Sequence, residues 1–250
     1  MTFKAKLLFV LLAPLASSAW AADDAPAEDN PINPKVIDKL VQVGQYLRSL
    51  PKFKVDAQIT RDVVLETGQK IKVGGTSQVV VDGRSRLYAS LESDTQNRRY
   101  FFNGKKFTQY SPALKYYGTV DAPETLSEAL HQFEEHYGLR LPMEDLFLLG
   151  QDQSQLDALT AAAYVGSSSI NGKQCDHLAF RQEGADWQLW VSHSDKPLPC
   201  KLVITTTEDT SYPEYSAVYS WNLKPDTNAA SFTFKPAKGD VAISITKAAQ

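Results

Sequence analysis

Four groups of residues in this 250-residue chain are of types that could do chemistry. The first is its two cysteines, Cys175 and Cys200. They precede the outer two of three apolar runs: one around Leu178 and Phe180, one with Trp187, Leu189 and Val191 on a single face, and Lys201 to Thr207. Glu183-Gly184-Ala185-Asp186 and Ser194-Asp195-Lys196-Pro197 are turn signals between the runs. In an antiparallel meander the two thiols therefore lie at one end, two strands apart, or roughly 9–10 Å. A disulfide needs Cα atoms within about 7 Å. A bond requires the chain to close over the end of the middle strand, where Leu198-Pro199 can bend it inward. The other reading is two buried free thiols.

The second group is His131-Gln132-Phe133-Glu134-Glu135-His136. A helical zinc motif places its histidines four apart on one face. These are five apart, about 140° around a helix, so His131 and Glu135 offer two ligands and no third. The pattern fits a solvated helix face better than a metal site. The third group, His177 and His193 beside Asp176 and Asp195, falls near turns, where polar residues are expected anyway. The fourth, Gly166-Ser167-Ser168-Ser169, lacks the spacing of the G-x-S-x-G nucleophile elbow and lies in a strand. Phosphate-loop and dinucleotide fingerprints are absent. We expect no cofactor, no metal and no catalytic residue.

The elements that would hold such groups are mostly strands. Asn33-Pro34 reads as a helix cap followed by proline at the first helical position. Val36, Leu40, Val43 and Leu47 then form one apolar stripe, and Pro51 ends the helix. Phe53, Val55, Ala57 and Ile59 alternate with polar residues, the period-2 signature of a half-buried strand. A second strand runs to Val81 with a bend or bulge at Gly74-Gly75. A third carries Leu87, Ala89 and Leu91, and Asn103-Gly104 marks a hairpin between Arg99–Phe102 and Phe107–Tyr110. Leu114 to Val120 is one more strand.

Pro123 to Tyr137 breaks this pattern. Leu126, Leu130, Phe133 and Tyr137 recur at helical spacing, and Gly138 fits the stop. Met143 and Phe147 lie in a short apolar stretch after Pro142, and Ser154 to Ala162 reads as a third helix. Strands resume at Tyr164, run through the meander, and continue with Tyr215, Ala217, Tyr219 and Trp221 on one face. Phe232 to Pro236 and a strand over Val241 to Ile245 close the chain. Ten or eleven short antiparallel strands, an N-terminal helix and a helical insert over residues 123–162 define a mainly β chain with helices (α+β). The expected architecture is a curved sheet or half-open β-barrel over residues 32–246, with the helices on its concave side.

The chain's net charge of −3, without a basic block, gives no electrostatic case for nucleic acid. Lys4 and Lys6, an apolar run from Leu7 to Leu15, and Ala19-Trp20-Ala21 predict a secretory signal over residues 1–21. The apolar run is shorter than the ~20 residues of a membrane span, so no transmembrane segment is expected after its removal. Residues 22–31 read as a disordered leader. Export to an oxidising compartment favours the disulfide.

Several of these features together are familiar. The N-terminal helix, two strand blocks around a helical insert, Trp187-Gln188-Leu189-Trp190-Val191, Pro197-Leu198-Pro199 before Lys201-Leu202, and Phe232-x-Phe234-x-Pro236 resemble the lipoprotein carriers of the LolA/LolB type. The chain looks closer still to an uncharacterised family of predicted periplasmic proteins sharing that fold, and more distantly to the envelope sensor RseB. The resemblance implies a periplasmic, non-enzymatic protein with a helical lid over an apolar cavity. An apolar lipid or acyl chain is the implied ligand, and an envelope protein partner is the alternative. The residues available to line such a cavity are Leu126, Leu130, Phe133, Tyr137, Met143, Phe147, Trp187 and Leu189. The same stripes would serve equally as ordinary core.

Overall fold

The computed structural model describes residues 31–139, 141–143, 146, 149, 150 and 153–247. The predicted signal, all but the last residue of the leader, and Phe147 lie outside the described residues.

Helix α1 (Pro34–Ser49) starts as its sequence predicts, with the Asn33 side chain accepting from the Lys35 amide at 3.0 Å and Pro34 in the first turn. Six strands follow: β1 (Lys52–Val64), β2 (Lys70–Asp82), β3 (Leu87–Ser93), β4 (Asn97–Phe102), β5 (Lys106–Ser111) and β6 (Tyr116–Asp121). The insert contributes α2 (Leu126–Tyr137) and the short α3 (Gln153–Asp157). The second block is β7 (Leu159–Ile170), β8 (Lys173–Gln182), β9 (Ala185–Ser192), β10 (Pro199–Thr206) and β11 (Glu214–Asn222). A 3-10 turn, Ala229–Phe232, and the two-residue β12 (Val241–Ala242) complete the chain.

All twelve strands form one sheet, in the order β12-β6-β5-β4-β3-β2-β1-β11-β10-β9-β8-β7. Each block is a sequential antiparallel meander, and β1 and β11 join the two through an eight-residue register from Lys54↔Asn222 to Arg61↔Tyr215. The sheet stays open: β12 caps one edge in parallel with β6, and β7 forms the other. The expected mainly β, half-open architecture holds. The strand count exceeds the expected ten or eleven by the small pairing of β12. Phe232 and Phe234 add no strand of their own: Phe234 packs on Phe101, Tyr110 and Tyr117, at 5.4, 4.8 and 4.9 Å, on the outer face of β4–β6.

One face carries the core. Val55, Ala57, Val79, Ala89, Phe102, Leu178, Leu189, Leu202 and Ala217 are buried there with the α1 stripe Val36, Leu40, Val43 and Leu47. The insert packs against this helix as well as the sheet. Gly44 of α1 lies beneath the Leu149 carbonyl, which also accepts from Arg48 Nη1 at 3.1 Å. Any Cβ at residue 44 would collide with that carbonyl. The far end of the β1–β2 hairpin is tied by Asp62, which accepts from Lys72 Nζ at 2.9 Å and the Glu214 amide at 3.1 Å. The Lys72 hydrogen bond, ahead of the other contacts, holds the Asp62 carboxyl below its ordinary range.

Two readings of the sequence need correction. Residues 159–162 do not end a helix but begin β7, with Ala161↔Arg181 and Ala162↔Phe180 in register. The alanine-rich stretch has good helix propensity, and pairing with β8 overrides it. Trp190, which strand alternation puts on the outer face opposite Trp187 and Leu189 and so leaves open to solvent, is only 8% exposed. It stacks on His177 at 3.9 Å, lies under Lys201 Nζ at 4.7 Å, and donates to Ser168 Oγ at 3.1 Å.

Cys175 and Cys200 form a disulfide with a Cα–Cα separation of 6.7 Å. The pair sits two strands apart across β9, as the meander requires. A bulge between Pro199 and Lys201 leaves Cys200 without a register partner, so it can lean across the end of β9 towards Cys175, which is opposite Ser192. The bond and Trp190 form a small second core with Val203 on the outer face.

Candidate binding cavity

Helix α2 brings the insert onto the concave face. Thr125 caps it, accepting from the Glu128 amide at 3.3 Å while its hydroxyl donates to Glu128 Oε2 at 2.6 Å. Gly138 closes it in the left-handed conformation. Phe133, 1% exposed, puts its ring 4.0 Å from that of Phe107, which in turn stacks with Tyr100 at 6.1 Å. Two cavities border the insert beside this anchor.

The larger cavity has a volume of about 750 Å³. Its floor is the outer half of β1–β4: Ile59 and Arg61, Val73, Gly74 and Gly75, Leu91 and Ser93, then Gln96, Arg98 and Tyr100. Tyr215 of β11 forms one side, and Glu134, Leu141, Pro142 and Met143 from the insert form the roof. The smaller cavity, about 390 Å³, lies between α1, the end of the insert and the second strand block, against Leu40, Leu156, Leu159, Trp187, Leu202 and Ile204. The two adjoin, because Tyr215 of the first is the register partner of Ile204 of the second. The smaller is the more apolar of the two.

The residues nominated from the sequence divide between wall and core. Met143 lines the larger cavity and Trp187 the smaller. Leu130, Phe133 and Leu189 are buried in the core, and Leu126 and Tyr137 pack against it; none of the five lines either cavity. Most wall residues were not singled out from sequence. Gly74-Gly75 carried a signal, read as a bend.

Electrostatically the larger cavity is mixed. Burial pushes the Tyr100 phenol above its ordinary value, while a hydrogen bond with Arg98 pulls the other way. Arg61 Nη2 reaches Thr95 Oγ1 at 3.4 Å. The histidines stay apart from this site. His131 is 81% exposed and lies 3.8 Å from Glu135. His177 meets Gln188 at 2.9 Å, whereas His193 bonds Asp176, which also faces Lys39 of α1 at 3.6 Å. Among the described residues no three His, Cys, Asp or Glu side chains are grouped to hold a metal. No described helix is long and apolar enough to cross a membrane.

An open sheet, with a helix and an insert bordering cavities on one face, is a half-open barrel. Residues 37–246 match the family of predicted periplasmic proteins DUF2092, and the chain belongs to that family. It is by that membership a periplasmic protein. The Mycobacterium tuberculosis lipoprotein LppX shares the fold at 12% identity, with 78% of this chain and 100% of LppX covered and a TM-score of 0.50. Looser likenesses include a LolA superfamily protein from Nitrosomonas europaea, at 12% identity, 80% and 97% coverage and a TM-score of 0.37. Another is to a chain of the Pseudomonas aeruginosa MucA/MucB complex, at 14% identity, 80% and 62% coverage and a TM-score of 0.38. No curated protein matches the chain.

Proposed function

We propose that this protein is a periplasmic carrier or binding protein that holds a lipid-like apolar ligand on its concave face and performs no chemistry on it. The observation that carries the reading is the pair of adjoining cavities beneath the insert. The larger of them, partly roofed and open to solvent, has a volume of about 750 Å³. Its size lies within the ~300–1,000 Å³ of small-molecule sites. Its apolar walls (Ile59, Val73, Leu91, Met143, Tyr215) and those of its neighbour suit an acyl chain.

A second reading, an envelope docking module, rests on the edge strand β7 beyond Ala162, where its bridge to Ile32 ends. Tyr164 and Val165 of β7 are 54% and 57% exposed there. An unpaired edge can accept a partner's strand.

Titration with an environment-sensitive fluorescent fatty acid separates the two. The carrier reading predicts binding with micromolar affinity or better. It also predicts at least tenfold weaker binding by Met143→Asp, which puts a charge into the roof where burial without a partner is costly. Met143 is itself buried in the same core as Phe133, so circular dichroism of the variant must show a folded protein before its binding is read. A folded wild-type protein that ignores the probe would remove the carrier reading and leave the docking module.

A further inference from the structure

We infer that the larger cavity is selective for an amphiphile with an anionic head, a carboxylate or a phosphate, which it seats between Arg61 and Arg98. The inference rests on the carrier reading and adds the chemistry of the head group.

Three observations converge. Alternation along β1 (Phe53, Val55, Ala57, Ile59) and back along β4 (Phe102, Tyr100) puts apolar and aromatic residues on the concave face. The next inward positions are Arg61 and Arg98, and both line the cavity. Each strand thus ends its apolar series with a cation, as a site with a dry floor and a charged mouth would require.

The side chain of Arg61 also crosses the sheet. Its guanidinium meets Thr95 Oγ1 at 3.4 Å, in the turn between β3 and β4 and three residues from Arg98. β2 lies between: Val73 is the register partner of Arg61, and Gly75, the next position on that face, is the partner of Ile59. Arg61 therefore crosses β2 at Val73, beside the bare inward face of Gly75, to reach the turn that leads into Arg98. An added Cβ at Gly75 would strike Glu92 and Ser93, so the glycine is fixed by close packing as well.

Neither guanidinium has a carboxylate within ion-pair distance among the described residues: Arg61 has Thr95, and Arg98 has the Tyr100 phenol. Both cations thus project into one cavity of a chain whose net charge is −3. Like charges brought together repel, and an anion relieves this. Arginine donates to carboxylate or phosphate in charge-assisted pairs. Glu134, in the roof, is the acidic member of the wall and leaves an excess of positive charge. The more apolar cavity adjoins at Tyr215, so a tail can run from the arginines under the insert towards Ile204 and Trp187.

The test compares oleic acid, oleoyl lysophosphatidic acid and oleyl alcohol as competitors of the fluorescent probe, on the full mature chain. The inference predicts that either anion binds at least tenfold more tightly than the alcohol, and more weakly at high salt. Arg61→Gln with Arg98→Gln should abolish that preference while leaving the alcohol's affinity within about twofold. A preference for the phosphate over the carboxylate would point to a phospholipid source, the reverse to a free fatty acid. Equal binding of acid and alcohol, or equal loss of both in the variant, overturns the inference and leaves the carrier reading intact. Failure of all three to compete for a folded protein overturns both. If the double variant misfolds, Arg98→Gln alone decides, since that side chain is exposed and its loss least disturbs the fold.

Discussion

Replacing Phe133 with alanine is expected to lower the unfolding free energy by about 3–5 kcal/mol, the range for removing a buried aromatic ring. The residue sits on the insert, which invites the view that it belongs to a movable lid. Its surroundings argue otherwise. The ring is 1% exposed and lies 4.0 Å from Phe107, itself fully buried beneath α2. Ala129 and Leu130 are buried beside it. Removing the ring leaves a void that only backbone movement of α2 or β5 can fill. Urea unfolding followed by far-ultraviolet circular dichroism measures the loss. A loss below about 1 kcal/mol would mean that α2 docks loosely and that the whole insert moves. On the present account α2 is fixed core and not a moving lid.

Removing the disulfide is the other large effect. Cys175 and Cys200 are 25 residues apart, and closing a loop of that size stabilises by about 3.5 kcal/mol in the chain-entropy model. Against a typical total of about 5–15 kcal/mol, that is a substantial fraction. Cys175→Ala with Cys200→Ala should therefore lower the thermal midpoint by roughly 7–14 °C, at about 2–4 °C per kcal/mol for a chain of this size. The damage should be confined to the outer face, because Trp190 and Val203 pack on the bond there while the cavities lie on the other side of β9. Binding of the fluorescent fatty acid by the variant, measured well below its midpoint, should be unchanged. A thermal midpoint within about 2 °C of wild type would show that the bulge at Cys200, and not the bond, holds β8–β10 together.

Much of this fold was legible before any coordinates. Asn33-Pro34 opens α1, the alternation from Phe53 to Ile59 is β1, and the three runs around Trp187 are β8, β9 and β10. These signals are local: a cap, a period, a turn residue. The disulfide was legible as a geometric condition, and the bulge between Pro199 and Lys201 meets it. What failed depended on distant partners. Residues 161–163 are alanines with helical propensity until β8 pairs with them. Trp190 is outward by parity, yet Lys201 and His177 cover it.

The cavity was the hardest feature to read, for a physical reason. Leu130 and Phe133 in the core and Met143 in a cavity wall are all apolar residues of the insert. Whether a given residue fills space or borders it depends on sheet curvature and on the path of the insert, which neighbouring residues do not encode. The arginines were readable and were missed. Arg61 and Arg98 fall on the inward parity of strands that are otherwise apolar on that side. A charge at an inward position is the sequence mark of a core giving way to a site.

The central claim, that the concave cavities hold a lipid chain, is tested most directly by diffraction from crystals of the protein with a fatty acid brominated near its methyl end. Anomalous scattering locates the bromine independently of the protein. The account predicts a single strong peak beneath the insert, either in the larger cavity among Leu91, Met143 and Tyr215 or further along against Ile204 and Trp187. A peak confined to the outer surface, or no peak from crystals saturated with the acid, would contradict it.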